Sequence, residues 1–488
     1  MKERKIQAWT LTACLLVAIG KSDAAQRPLL IGGGYELAGS QGQIELNLGW
    51  VQQLLNEAGQ SPTVFYTDGD DPAPDVFLYQ PVSDQDGVSH KLARVFGEFE
   101  ADGETFRNHR LEGVSGTTQR DVLEPQLRDY FASMQAGDEL LVVYNGHGAP
   151  SVGREDEVSL KLWGDTRLSA GEFQDILDES LDPAVPLRYV FTQCYSGGFH
   201  RLIYENSESG LGLAEPLRCG FTAESPWRQS EGCSASIDMG DYRDYTTFFF
   251  AALNGEDRLG EPLKSDPDLN GDGQTDLLEA HLYTLEHAHS TDLSRSSSEV
   301  FLENRIPYYM SWVSFPGHLP DNRYGQLTQR LAARLDVPLE SMNRVVRERL
   351  RELHSRYAQL RSEQLSTREE AQRLRRVVSG ALLKDYPKLA APYTAGYREL
   401  LAGQGSEIQA RLDADADYRA LVEAQDAEAV FDRRLLDIER DIAQLDKLKR
   451  LRRLAFYLDW LNDKADADVR QGYERLVGCE SVPLSRTN

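Results

Sequence analysis

Positive charge is scarce in this sequence. Its 488 residues carry 53 Lys and Arg against 78 Asp and Glu, which gives a formal net charge of −25. A partner bound through its phosphates, such as a nucleic acid or an anionic membrane surface, requires a basic footprint on the protein. We therefore expect no nucleic-acid partner.

Long apolar runs are missing beyond the first 25 residues. A membrane-spanning helix needs about 20 predominantly apolar residues, and no later segment supplies them, so we expect no membrane span. Residues 1–25 have cations within the first five positions and an apolar stretch over 9–20, the order of a secretory signal. We expect export to a periplasm or out of the cell. Cys14 imitates a lipoprotein cleavage box but lies inside the apolar stretch, so lipid anchoring is the less favoured alternative.

Cysteine is also sparse, with five in the chain. Cys14 would leave with the signal, and the four that remain are Cys194, Cys219, Cys233 and Cys479. Exported chains commonly pair their cysteines. We interpret Cys194 below as a nucleophile, which leaves one other thiol unpaired. Cys219 and Cys233 lie close together in the sequence and are the possible disulfide that we expect.

The first part of the chain alternates short apolar strands with helices, from residue 27 to about 314. This alternation is typical of a mainly parallel sheet with helices on both faces. Ser169 and Glu172 have the spacing of a helix capping box. We therefore expect a doubly wound α/β domain over 26–318, with its ligand crevice beyond the carboxyl ends of the strands. The predicted strands are 29–31, 63–66, 139–144, 160–163 and 188–192.

The composition changes after residue 318, where glycine becomes sparse and charged residues crowd together. Apolar residues follow a 4-3-4-3 spacing from Val346 to Leu360, and the alternation of three and four returns from Leu435 to Leu445 before Leu448, Leu451, Leu454 and Leu458. This pattern predicts a coiled-coil-like helical hairpin or small bundle over 319–488. The apolar stripes either pack on each other within the subunit or serve a protein partner or self-association.

Two of the predicted strands run into reactive side chains. The strand 139–144 leads to His147-Gly148, and the strand 188–192 leads to Cys194. A cysteine nucleophile needs an imidazole to move its proton, and it needs exposed backbone amides to stabilise the oxyanion of the attacked carbonyl. The order of these residues therefore indicates acyl-transfer chemistry.

The same stretches resemble the caspase and legumain clan of cysteine peptidases. An apolar strand ending in His-Gly, then some fifty residues later an apolar strand ending in cysteine, is the pattern of that clan. The segments 195–199, 221–224, 232–234 and 244–249 look most like its bacterial legumain-like branch. The resemblance covers about 27–310 and implies a caspase-like fold.

The resemblance also implies roles for individual residues. It makes His147 and Cys194 the catalytic dyad, and the amides of Gly148 and Cys194 the oxyanion donors. The residue before the nucleophile is usually small in this clan, whereas here it is Gln193. The larger side chain predicts an altered specificity pocket or a divergent subgroup.

These observations predict an exported cysteine endopeptidase, a hydrolase that cleaves a peptide or protein substrate through an acyl-enzyme without an organic cofactor. A transamidase would use the same dyad, and a non-catalytic scaffold would bind partners through the helical tail. The charged residues expected near the pocket have both signs, so they leave the cleavage specificity open. They are Asp165, Glu224, Arg228 and Glu231.

A calcium-loop motif lies at 268–279. Its spacing places oxygen ligands and a turn glycine where an EF-hand loop has them. Prolines before the loop exclude a regular entering helix, so we expect a single structural Ca²⁺ site followed by a helix over 277–287. The alternative is an acidic surface turn, and we expect His281, His287 and His289, which follow on the exit helix, to be exposed. The predicted ligands are Asp268, Asn270, Asp272, Gln274, Asp276 and Glu279.

Overall fold

The structure is a computed structural model, and it describes residues 26–80, 87–96, 103–150, 158–236, 238–311, 315, 318–392 and 394–484. The predicted export signal, residues 1–25, lies outside these ranges. Within them, no helix is both long enough and apolar enough to cross a membrane.

The strands form one large sheet and one separate pair. The large sheet has nine strands in the order β11-β10-β9-β6-β1-β2-β5, with β7 joined to β6 and β8 joined to β7, whereas β3 pairs with β4 alone. The strands are β1 Gln26–Gly33, β2 Thr63–Tyr66, β3 Val76–Tyr79, β4 Glu104–Arg107, β5 Val114–Gly116, β6 Glu139–Ala149, β7 Ser159–Leu162, β8 Thr166–Ser169, β9 Leu187–Phe191, β10 Arg218–Thr222 and β11 Arg295–Ser296.

The path from β10 to β5 is parallel throughout, and β11 joins β10 in the antiparallel sense. The central strands are continuous apolar runs such as Leu29-Leu30-Ile31, which has no exposed surface. Strands read this way when both faces of the sheet are covered. The prediction of an α/β fold with a mainly parallel sheet flanked by helices is confirmed.

Seven helices accompany this sheet in the described part of the chain. The capping box before the fourth of them is confirmed, because the amide of Glu172 donates to Ser169 Oγ at 3.2 Å and the amide of Ser169 donates to Glu172 Oε2 at 2.8 Å. The helices are α1 Gly42–Glu57, α2 Val88–Phe96, α3 Arg120–Ala132, α4 Ala170–Ser180, α5 Tyr245–Asn254, α6 Leu277–His287 and α7 Ser297–Arg305.

Long helices make up the C-terminal region, as predicted. They are α8 Arg323–Arg334, α9 Met342–Asp385, α10 Ala395–Ala414, α11 Ala416–Lys464 and α12 Ala467–Glu480. The two longest, α9 and α11, run antiparallel. Tyr357 of α9 is hydrogen-bonded to Glu439 of α11, and Arg368, which comes later in α9, is hydrogen-bonded to Glu428, which comes earlier in α11. The stripe leucines Leu448, Leu451 and Leu454 have no exposed surface.

The main core continues from the sheet into these helices. It includes Leu448 and Leu451 of α11 and Leu476 of α12 together with strand residues. A second, smaller core forms where α2, which lies between β3 and β4 in the sequence, packs against the far ends of the long helices. Lys91 and Arg94 of α2 form ion pairs with Asp413 and Asp426 there. The helical region is therefore joined to the α/β region at both of its ends.

The predicted disulfide between Cys219 and Cys233 is wrong. Cys219, fully buried in β10, is bonded to Cys479, whose Cα atom lies 6.1 Å away, and Cys194 and Cys233 are free thiols. The physical reason is that α12 folds back against β10 and α7. The carboxylate of Glu480 supports this docking by accepting hydrogen bonds from Ser297 Oγ and Ser298 Oγ at 2.6 Å each.

Candidate active site

The strands β6 and β9 bring the predicted dyad residues to the same edge of the sheet. They are parallel neighbours, and Tyr144 pairs with Phe191. His147 and Cys194 each follow their paired residue by three positions. Because both strands run in the same direction, both residues lie past the carboxyl end of the β6–β9 pairing, where ligand crevices of doubly wound folds occur. Cys194 follows the end of β9, whereas β6 is longer than the predicted strand 139–144 and carries His147 near its end, where it pairs with β7.

The imidazole of His147 is oriented by acceptors on its Nε2 side. Nε2 lies 2.8 Å from the carbonyl oxygen of Gly39 and 2.8 Å from Oε1 of Gln41. A carbonyl oxygen only accepts, so Nε2 carries the hydrogen and Nδ1 keeps its lone pair. Burial lowers the pKa of His147 below its usual value. The ring is therefore neutral at neutral pH, with Nδ1 available to accept a proton.

Gly148 lies directly against the backbone of Cys194. A β-carbon at this glycine would come within 2.0 Å of the carbonyl oxygen of Cys194. Because real β-carbons do not approach oxygen so closely, a residue with a side chain would push the two segments apart. The glycine thus sets the distance between the two amides predicted as oxyanion donors.

The thiol of Cys194 is half-buried and faces Ser230. Its Sγ atom lies 3.8 Å from the hydroxyl oxygen and 3.8 Å from the carbonyl oxygen of Ser230. Burial raises the pKa of the Cys194 thiol, although the hydrogen bonds of Ser230 lower it. The backbone turns sharply just after the nucleophile position, where Tyr195 has a left-handed φ of 62°.

Cys233 belongs to this site, which the sequence did not reveal. Its Sγ atom lies 3.7 Å from Nδ1 of His147, the nitrogen that is free to act as a base. Burial, together with the charge of the Cys194 thiolate, raises the pKa of Cys233 far above its usual value. The stretch 232–234 contributed to the family resemblance, but nothing in the local pattern separates a site thiol from a disulfide cysteine.

An irregular segment, residues 228–234, holds these groups together. The amide of Tyr195 donates to the carbonyl of Arg228 at 2.8 Å, and Ser230 Oγ donates to the carbonyl of Thr192 at 3.1 Å. At its other end, the amide of Ser234 donates to Gln43 Oε1 at 2.9 Å. The 228–234 segment therefore runs from the loop that carries Cys194, past His147, to the start of α1.

The four charges predicted near the pocket have different surroundings. Glu224 is fully buried, accepts from the amide of Leu293 at 3.1 Å and lies 3.3 Å from Nε of Arg228. Glu231, within the 228–234 segment, binds Arg440 of α11, whose Nε lies 3.1 Å from its Oε1. Asp165 lies on the hairpin between β7 and β8, 3.9 Å from Lys161. Glu231 thus connects the candidate site to the C-terminal helices.

The predicted calcium loop has the backbone of its motif. Gly273, the turn glycine at position 6, has φ +87°, and its amide donates to Asp268 at 2.8 Å. The amides of Asp272 and Gln274 donate to the side chains of Asn270 and Asp272 at 2.8 and 2.9 Å. These oxygen donors suit calcium, and the occupancy of the loop stays a prediction.

The two ends of this loop match the prediction of a single exit helix. Asp276 and Glu279 form a capping box at the start of α6, and no helix lies between the end of α5 at Asn254 and Leu277. Burial raises the pKa of Asp276 to about 6. The expectation that His281 is exposed is wrong: it has no exposed surface, because α6 packs its ring against Tyr245 and Phe221.

A second acidic cluster lies at the carboxyl end of β2. Among the described residues, ligand atoms of Asp68, Asp75 and His109 lie within 4.8 Å of one another. Asp75 is fully buried and accepts hydrogen bonds from the Thr67 hydroxyl and from the amide of His109, the latter at 2.6 Å. Burial and the neighbouring charge of Asp75 raise the pKa of Asp68 to about 7. The fold itself therefore provides hydrogen bonds for the buried member of this cluster.

Comparison with known proteins adds little to this geometry. No protein-family model and no curated protein matches the sequence. One solved structure to which the chain is similar is protein GSU0716 from Geobacter sulfurreducens, at 11% identity and a TM-score of 0.32. The match covers 56% of this chain and 93% of that one. We infer neither fold nor function from a likeness this weak.

Proposed function

We propose that the protein is an exported cysteine endopeptidase of the caspase and legumain type, with His147 and Cys194 as its dyad. The observation that supports this most is the placement of both residues past the carboxyl end of the β6–β9 pairing, three positions after the paired Tyr144 and Phe191. The contact between Gly148 and the Cys194 backbone supports it further. The substrate is a peptide or protein segment bound in the crevice.

The proposed reaction begins from neutral groups. The pKa of the thiol is raised and the pKa of the imidazole is lowered, so at neutral pH neither carries a charge at rest. The thiol of Cys194 turns from Ser230 toward Nδ1 of His147. As its sulfur attacks the substrate carbonyl carbon, Nδ1 accepts the thiol proton and so acts as a general base.

The remaining steps return the dyad to its starting state. The amides of Gly148 and Cys194 donate to the oxyanion. The peptide C–N bond breaks, and the proton on His147 passes to the leaving amine, which leaves a thioester on Cys194. Water then attacks the thioester carbonyl, its proton passes through His147 to the sulfur, and the acid product departs.

Substitution of the two dyad residues tests this proposal. Cys194→Ala and His147→Ala should each abolish cleavage of a positional peptide library while the melting temperature stays within a few degrees of the wild type. Cys233→Ser is the matched control, because it alters a thiol in the same site without removing the proposed nucleophile. Cleavage that survives in Cys194→Ala would contradict the assignment.

A further inference from the structure

Two free thiols meet at the 228–234 segment: Cys194 contacts it and Cys233 belongs to it. Cys194 Sγ contacts Ser230 at 3.8 Å, and Cys233, three residues further along the chain, contacts Nδ1 of His147 at 3.7 Å. Gly148, which follows His147 in the sequence, lies against the carbonyl oxygen of Cys194. The contacts thus form a closed ring around the candidate site, and both thiols lie on that ring.

The segment that carries Cys233 is irregular between its hydrogen-bonded ends. In the described structure the stretch from 229 to 235 has neither helix nor strand, and Gly232 has φ +138°. Three residues of extended chain span at most about 10 Å, so Cys233 cannot be far from the Cys194 loop that Ser230 touches. A disulfide requires Cα atoms about 4.4–6.8 Å apart, a separation shorter than this reach.

We infer that Cys194 and Cys233 form a reversible disulfide under oxidising conditions, and that this bond switches the candidate active site off by occupying the nucleophile. The peptidase consequence rests on the proposed function, whereas formation of the bond does not. The bonded pair Cys219 and Cys479 in the same chain indicates an oxidising surrounding. In such an environment, the two free thiols of one site meet the same oxidants.

The oxidant in this reaction is a small disulfide such as oxidised glutathione. The sulfur of Cys194 attacks one sulfur of the small disulfide, which breaks its S–S bond and releases one small thiol. Nδ1 of His147 then takes the proton of Cys233, and the Cys233 sulfur attacks Cys194 and releases the second small thiol. The protein loses two hydrogens and two electrons, and the small disulfide gains both.

The test measures the linkage and the activity on the same samples. The full chain is equilibrated in mixtures of reduced and oxidised glutathione, acid-quenched and alkylated, and digested without reduction, and the peptides are identified by mass spectrometry. We expect a peptide pair joined through Cys194 and Cys233, with a tenfold change in the oxidised-to-reduced ratio for each about 30 mV of buffer potential. Peptide cleavage should be lost in proportion and should return on reduction.

Total glutathione distinguishes this bond from simple glutathione addition. At a fixed ratio of reduced to oxidised glutathione, tenfold more total glutathione lowers the oxidised-to-reduced ratio of an internal disulfide about tenfold but leaves that of a mixed disulfide unchanged, by mass action. Measured against its own activity in reduced glutathione, Cys233→Ser should lose little activity in mixtures that inactivate the wild type, and the neighbouring Ser234→Ala should lose as much as the wild type does.

The outcomes separate the two proposals. A mixed disulfide on Cys194 that forms equally in the wild type and in Cys233→Ser, without a linked peptide pair, overturns the inference. A linked pair in a chain that cleaves no peptide when reduced supports the inference and contradicts the peptidase proposal. The Cys219 to Cys479 linkage serves as the internal control for digestion.

Discussion

At the scale of single residues, the spacing between Gly148 and Cys194 is the tightest constraint on the candidate site. A β-carbon would lie 2.0 Å from a backbone oxygen, and backbone cannot turn aside as a long side chain can. A substitution must therefore move the Cys194 loop or the end of β6. Either movement changes the distance between the two proposed oxyanion donors.

The substitution Gly148→Ala should for this reason abolish peptide cleavage and lower the free energy of unfolding by about 1–3 kcal/mol, the usual cost of overpacking. The measurements are kcat/KM and a denaturant melt. Gly171→Ala is the matched control: Gly171 lies in α4, and a β-carbon there meets nothing within 4 Å. That variant should keep its activity and gain about 0.5–1 kcal/mol of stability. Full activity in Gly148→Ala would contradict the oxyanion assignment.

Single residues also show what the sequence predicts well and what it does not. The positions of His147 and Cys194 at strand ends follow from local patterns, because a buried strand and the glycines after it can be recognised within a few residues. The environment of Cys233 does not follow, since its contact with His147 joins residues 86 positions apart. His281 was mispredicted for the same reason, because its burial depends on Tyr245 and Phe221.

At the scale of elements, the loop 268–279 and the helix α6 form one unit. Asp276 caps the helix, while Glu279 accepts from the amides of Leu269 and Asn270 at 2.9 Å each and so draws the loop onto the first turn. The helix in turn packs on α5 and buries Leu277 and Leu285 in the main core. Whatever fixes the loop should therefore stabilise this side of the α/β region.

We expect calcium to raise the melting temperature for that reason. Ligand that binds the native state alone stabilises it by about 2.7 kcal/mol at a hundredfold excess over its dissociation constant. The measurement is a melt in calcium against a melt in chelator. Asp268→Ala and Glu279→Gln should lose the response, and Gln at 279 preserves a capping-box side chain. Asp175→Ala removes one exposed charge from α4 and is the control. A wild-type midpoint that does not move would make the loop an acidic surface turn.

At the scale of the whole molecule, the C-terminal helices share one hydrophobic core with the α/β region. The periodicity predicts that helices form after residue 318, because the apolar stripe is local. It does not predict that α12 returns to β10, because the bond between Cys219 and Cys479 joins residues 260 positions apart. Sequence proximity favoured Cys233 instead. The packing of α12 against β10 determines which cysteines pair, and such packing cannot be inferred from the spacing of residues close together in the sequence.

The long helix α11 also reaches the candidate site. Arg440 binds Glu231 within the 228–234 segment, and both side chains are 16% exposed. Glu231 Oε2 also accepts from the amide of Thr291 at 3.0 Å, which attaches the segment to the loop before β11. The segment, which contacts Cys194 and contains Cys233, is thus held between the helical region and the sheet. Its position depends on a contact that the α/β region alone would lack.

The substitution Arg440→Gln should loosen this segment. It leaves a mostly buried carboxylate without its guanidinium partner, and we expect it to cost about 1–2 kcal/mol, more than an exposed ion pair contributes. Peptide cleavage should fall several-fold, and alkylation of Cys233 by iodoacetamide should become faster. Arg344→Gln is the control, because Arg344 forms an exposed pair with Glu348 on α9, away from the segment. If both variants change cleavage and alkylation equally, α11 does not position the site, and the helical region serves a purpose unrelated to the dyad.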